Sequence, residues 1–177
     1  VDETMTEEDY TPLTIIPDGK NTMVYLTGEI GHCSKYIDLF ELLRTATPEE
    51  TIEIIINSFG GSCDTGYHII DLIRECKAIV TTSIYGHAAS VASMVFMAGN
   101  NKKVSDHATM HAHYYSSDFY AKGSDIEADV LFHKKLYGHW MHEIYAHFMS
   151  DKEIDDLLNG KEFWFSSEEI KERLERS

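Results

Sequence analysis

Apolar and polar positions along this chain switch repeatedly between a period of two and a helical period. Met23-Val-Tyr-Leu-Thr27 reads as a short strand, with Gly28 and Gly31 as turn residues behind it. From Tyr36 to Arg44, the positions of Ile37, Leu39, Phe40, Leu42 and Leu43 fit a helix face, and Pro48 closes the connection. Thr51-Ile-Glu-Ile-Ile-Ile56 is a β-branched run, which predicts a strand buried on both faces of a sheet. Asn57-Ser-Phe-Gly-Gly-Ser62 reads as a loop, and Gly66 to Cys76 as a helix with Ile69, Ile70, Leu72 and Ile73 inward. Ile79-Val-Thr-Thr-Ser-Ile-Tyr85 is the next strand, and residues 86–93 turn it into the apolar helix Met94-Val-Phe-Met-Ala98. Strand and helix alternating at this pitch predict a parallel sheet with right-handed crossovers.

The remainder is less regular. Shorter strands are expected between Lys103 and His113, and a long helix from Asp125 to Met149. Two shorter helices are expected within 150–177, around the aromatic patch Phe163-Trp164-Phe165. Residues 1–20 are polar and acidic and carry Pro12 and Pro17. They are expected to form an arm with little fixed structure, leaving 21–177 as one domain. The chain has no internal repeats.

Composition narrows the function. A chain of 177 residues, 43% hydrophobic, buries one sizeable core. Its net charge of −15 argues against nucleic acid as a partner. Three cysteines (Cys33, Cys63, Cys76) have no paired spacing, so no disulfide framework is expected. Without a visible signal peptide or long apolar run, the expectation is a soluble cytoplasmic protein with no membrane contact.

Ser90 carries the most chemistry. It stands where a strand turns into a helix, among small residues, at the positive end of a helix dipole that favours developing negative charge. A plain helix cap occupies the same kind of position. Ile56-Asn-Ser-Phe-Gly-Gly-Ser62, Gly86-His-Ala-Ala-Ser90 and Ala108-Thr-Met-His-Ala-His113 closely resemble three signature segments of the Clp (caseinolytic) protease proteolytic subunit. The resemblance runs from about Val24 to Glu169. It implies an α/β spiral of the Clp/crotonase type, built of βαβ units with a long handle helix, and a serine peptidase whose barrel-shaped oligomers work with an unfolding ATPase. The family's segment from catalytic histidine to catalytic acid lies on this chain without a gap. It places the histidine at His113, the helix start at Asp125-Ile-Glu127 and the acid at Glu162. The implied oxyanion donors are the backbone N–H groups of Gly61 and Val91.

The chemistry suits these residues. A serine hydroxyl needs a base to take its proton, and the base needs an acceptor to fix its tautomer and stabilise the imidazolium. Loss of one oxyanion donor typically costs roughly 3 kcal/mol of transition-state stabilisation. Alternatives stand beside each assignment. His111 and His107 compete with His113, and alternation places His111 and His113 on one face of their strand. The spacing to Asp125 favours His113. Where the family has aspartate, Glu162 carries an extra methylene, a displacement of roughly 1.5 Å; Asp155 and Asp156 are nearby substitutes.

Other departures bear on partners. Phe59 replaces the family's proline and is available to line a cleft, while His87 replaces a glutamine and is expected as a hydrogen-bonded neighbour. The loop after Gly99 is about two residues shorter than the family's. The acidic arm lacks the apolar residues with which family members meet the ATPase, so dependence on a Clp-type ATPase is in question. Small size and divergent ends resemble the phage-encoded branch. Cys63 reads as a small apolar filler. His133, His139, His142 and His147 lack the ligand arrangement of a zinc protease helix, so neither metal nor cofactor is expected.

The expected activity is endopeptidase cleavage of unfolded polypeptides inside a homo-oligomeric chamber, its rings stacked through helix 125–149. The alternatives are a catalytically silent Clp-like assembly subunit and an acyl-CoA enzyme of the same fold.

Overall fold

The computed structural model describes residues 11–115 and 122–176. Its centre is a seven-stranded sheet in the order β1 (Leu13–Asp18), β2 (Asn21–Ile30), β3 (Thr51–Gly61), β4 (Ile79–Ala89), β6 (Thr109–Ala112), β7 (Phe163–Ser166), with β5 (Asn101–Val104) beside β4. β2, β3, β4 and β6 run parallel. The crossovers carry α1 (Ile37–Thr45), α2 (Cys63–Glu75) and α3 (Val91–Ala98). β5 pairs with the first half of β4, leaving the second half to β6.

Two expectations change. β1 (Leu13–Asp18) pairs antiparallel with β2, so the second half of the supposed arm is half of a hairpin; residues 1–10 lie outside the described residues. Pro17 fits there because β1 is an edge strand, where an absent N–H need not break a ladder. The β3 run is buried on one face only: Ile52, Ile54 and Ile56 are in the core, while Glu53 and Ile55 are half-exposed. α3 packs on β3 and β4 with α2 against it, covering the isoleucine face. On the other face, the Glu53 carboxylate accepts hydrogen bonds from Ser83 and Lys103.

The glycine loop after Ile56 is not a loop. Asn57–Gly61 continues β3, with register shifts against both neighbours. Ser58 donates to the Gly28 carbonyl, and its hydroxyl oxygen accepts the Gly60 N–H at 3.1 Å. The backbone therefore bends without leaving the sheet.

Beyond β6, α4 (Gly123–Tyr145) packs through Tyr137, Met141, Ile144 and Tyr145, while Val130, Leu131 and Phe132 project outward. Burial on several sides, expected of this helix, is not what the single chain has: Tyr137, Met141, Ile144 and Tyr145 form one stripe, and Lys134, Lys135, His139 and Glu143 are exposed. α5 (Asp151–Leu158), β7 (Phe163–Ser166) and α6 (Ser167–Glu175) follow. Both α5 and α6 begin with capping boxes, Ser150 with Glu153 and Ser166 with Glu169, which satisfy first-turn N–H groups. The aromatic patch is thus a strand, and β7 pairs antiparallel with β6 to bring the C-terminal segment to the sheet edge.

Candidate active site

Ser90 fills the single position between the end of β4 and the start of α3, with φ 56° and ψ −133°. Among the described residues it is the only non-glycine at positive φ. Such a backbone costs about 1–3 kcal/mol and persists where its surroundings impose it. Here they do. The Ser90 N–H donates to the His111 carbonyl (2.9 Å), and the Ser90 carbonyl accepts from the N–H (3.0 Å) and hydroxyl (2.6 Å) of Ser93. The Ser90 side chain makes no capping bond to α3, so helix capping does not account for this serine. Its hydroxyl stands instead on a sharp strand-to-helix turn, the geometry that presents a nucleophile.

Gly60 lies against it. A Cβ on Gly60 would fall 2.6 Å from Ser90 Cβ and 3.2 Å from its Oγ, and Gly60 has φ 91°. Gly61 pairs with Ile30 on β2, and Val91 opens α3 directly after Ser90. Of the two implied oxyanion donors, Val91 adjoins Ser90 in the chain and Gly61 lies against Ile30 and Glu29; the close approach to Ser90 is made by Gly60.

The histidines divide. His111 lies within β6 beside Ala89 of β4, and His113 follows just past the strand's end. Their rings stack at 5.0 Å, and the indole of Trp164 lies nearly parallel to His111 at 3.7 Å on β7. The carboxylate goes to His111: Glu162 Oε2 lies 3.2 Å from His111 Nε2. His113 Nδ1 lies 2.5 Å from the Tyr114 carbonyl. A carbonyl only accepts, so Nδ1 carries a proton, and in the neutral ring that leaves the lone pair on Nε2. Burial pushes the His111 pKa down, helped by the charge of His113 and opposed by Glu162. His107 precedes β6, next to Asp106, whose carboxylate is paired with Lys171.

The other candidates are placed elsewhere. Asp155 faces His142 at 3.5 Å, and Asp156 pairs with Lys152 (2.9 Å) and Lys161 (3.5 Å). His87 hydrogen-bonds Thr109 Oγ1 at 2.6 Å and stacks on the exposed ring of Phe59 at 5.0 Å. Cys63 is the half-buried first residue of α2; burial, then Asp64, pushes its thiol pKa up, away from a reactive thiolate. Among the described residues, no group of three or more His, Cys, Asp or Glu is placed to hold a metal, and no helix is long and apolar enough to cross a membrane.

Sequence reading missed two features. The contact of Glu162 with His111 follows from the extra methylene of glutamate and the shared face of the two histidines, both visible in the sequence. The tie of Ser93 to Tyr145 had no local signal, because the two lie 52 residues apart.

A serine on a strained turn at the end of a parallel strand, with two histidines at the end of the neighbouring strand and a carboxylate beside them, is the set of groups used by serine hydrolases. Residues 19–173 match the Clp protease family model, and the chain belongs to that family. Its α/β fold is that of the family, whose activity is peptidase activity.

Proposed function

We propose that this chain is a serine endopeptidase in which Ser90 is the nucleophile, His113 the general base and Glu162 the triad acid. The observation that carries the reading is the positive φ of Ser90 with its hydroxyl uncommitted to the helix cap. His113 Nε2 takes the Ser90 proton as Oγ attacks the scissile carbonyl. The N–H groups of Gly61 and Val91 hold the oxyanion, His113 protonates the leaving amine, and water releases the acyl-enzyme. Substrate is an extended polypeptide, its backbone paired to a strand edge beside the glycine segment. The outward apolar residues Val130, Leu131 and Phe132 of α4 support assembly of stacked rings around a chamber, in the cytoplasm. A Clp-type ATPase is the partner that would feed such a chamber.

The test is fluorophosphonate labelling with intact mass on wild type and Ser90→Ala. One adduct per chain, lost in Ser90→Ala, is expected. A folded, assembled wild type that never labels, even with Glu162→Asp, would instead support a silent assembly subunit.

A further inference from the structure

Two histidines face one carboxylate. β6 and β7 pair as Thr109↔Ser166, Met110↔Phe165, His111↔Trp164 and Ala112↔Phe163. Continuing that register by one residue sets His113 opposite Glu162. Directly opposed residues of an antiparallel pair have Cβ atoms ~5 Å apart and diagonal ones ~7 Å. Glu162 nevertheless reaches diagonally to His111 Nε2, while His113 turns its Nδ1–H to the Tyr114 carbonyl. Trp164, stacked on His111, keeps that ring in place to receive the carboxylate.

We propose that His111 is a positioning residue that competes with His113 for Glu162, so that the contact seen here is a resting arrangement and transfer of Glu162 to His113 Nδ1 assembles the working triad. This inference rests on the hydrolase reading above. In the resting arrangement the Tyr114 carbonyl already selects the His113 tautomer with a free Nε2. A carbonyl dipole does not supply the full negative charge that stabilises an imidazolium, so Ser90 is deprotonated less readily. The change needs only a side-chain rotation at each of two residues. Glu162 is free to make it, since its side chain is 59% exposed whereas that of His111 is 13% exposed. The exposed end also makes the competing contact weak, worth at most about 1 kcal/mol, or about a fivefold bias. His111 is therefore a shallow brake, which substrate or assembly can release.

The groups acting on the His111 charge are His113 on its own strand and Glu162 from the segment before β7; His87 on β4 is turned to Thr109. Protonation of His111 strengthens its hold on Glu162.

The experiment is the second-order rate of fluorophosphonate labelling across pH on the assembled protein. His111→Phe keeps a ring to stack on Trp164 and removes the carboxylate partner. His111→Gln keeps a side-chain N–H to offer Glu162. Labelling of His111→Phe about two- to fivefold faster than wild type is expected, with His111→Gln close to wild type. The acid limb of the wild-type profile should be steeper than that of His111→Phe, which lacks the second ionisation. A folded His111→Phe that labels no faster than wild type overturns the proposal. So does loss of labelling in His111→Phe with its retention in His113→Phe, which would make His111 the base. Wild type and His111→Phe both folded and both unlabelled would overturn the hydrolase reading itself, and this inference with it.

Discussion

The hydroxyl of Tyr145 lies 2.6 Å from Ser93 Oγ, deep in the protein, and ties α4 to the turn that carries Ser90. Ser93 spends its own proton on the Ser90 carbonyl, 2.6 Å away, so Tyr145 is the donor of the pair. The strained backbone of Ser90 is thus held from its own helix and, at one remove, from the helix whose other half projects outward. Burial pushes the Tyr145 pKa well up, so the phenol stays a donor at any physiological pH.

Ser93→Ala leaves the Tyr145 hydroxyl buried without its partner and is expected to cost about 1–3 kcal/mol. For a chain of this length that is a Tm loss of roughly 2–4 °C per kcal/mol. Tyr145→Phe should cost less, and the double variant less than the sum of the two. Thermal denaturation of the four proteins checks this; strict additivity would mean the two hydroxyls are not coupled.

The backbone of Ser90 makes a second prediction. Glycine adopts positive φ without the steric cost that serine and alanine bear. Ser90→Gly should therefore be more stable than Ser90→Ala by about 1 kcal/mol, while both lose fluorophosphonate labelling. Denaturant melts of the two variants give the comparison, and equal midpoints would contradict the strain at this turn.

Shortening the acid should help rather than harm. Continuing the β6–β7 register one residue past Ala112↔Phe163 sets residue 162 opposite His113, so a shorter aspartate favours that direct partner over the diagonal one, His111. Glu162→Asp is expected to label about two- to fivefold faster than wild type, and Glu162→Gln more slowly. Slower labelling by Glu162→Asp would show that the full length of glutamate is needed where it stands.

An ion pair ties α5 to α6, the helices on either side of Glu162 in the chain. Arg173, with the Ser150 amide and hydroxyl, holds the Glu153 carboxyl at about 2 against an ordinary 4.5. A depressed carboxyl contributes stability that is complete above its unfolded value and is lost as pH falls toward the folded one. Wild-type Tm should therefore fall as pH drops from about 4.5 toward about 2. Glu153→Gln, which can still close the capping box, should be less stable near neutral pH and flatter through that window.

Much of this molecule is legible locally. Short apolar and β-branched runs marked the cores of β2, β3 and β4, helical stripes marked α1 and α2, and the small-residue turn singled out Ser90 before any contact was known. Alternation placed His111 and His113 on one face. The expectation that β3 is buried on both faces failed, because a β-branched run does not reveal that helices cover only one side of the sheet. Local pattern also left residues 13–18 unpaired, because a hairpin partner is a property of two segments rather than one.

The sequence by itself determined the parallel α/β framework, the serine at its strand-to-helix turn, and a histidine pair and a glutamate about fifty residues apart. Only the tertiary structure decided which histidine holds the glutamate and how Ser90 is kept at positive φ. Both outcomes depend on distances between strands and helices remote in sequence. Spacing along a chain fixes which way a side chain points; the packing of distant segments fixes what it meets.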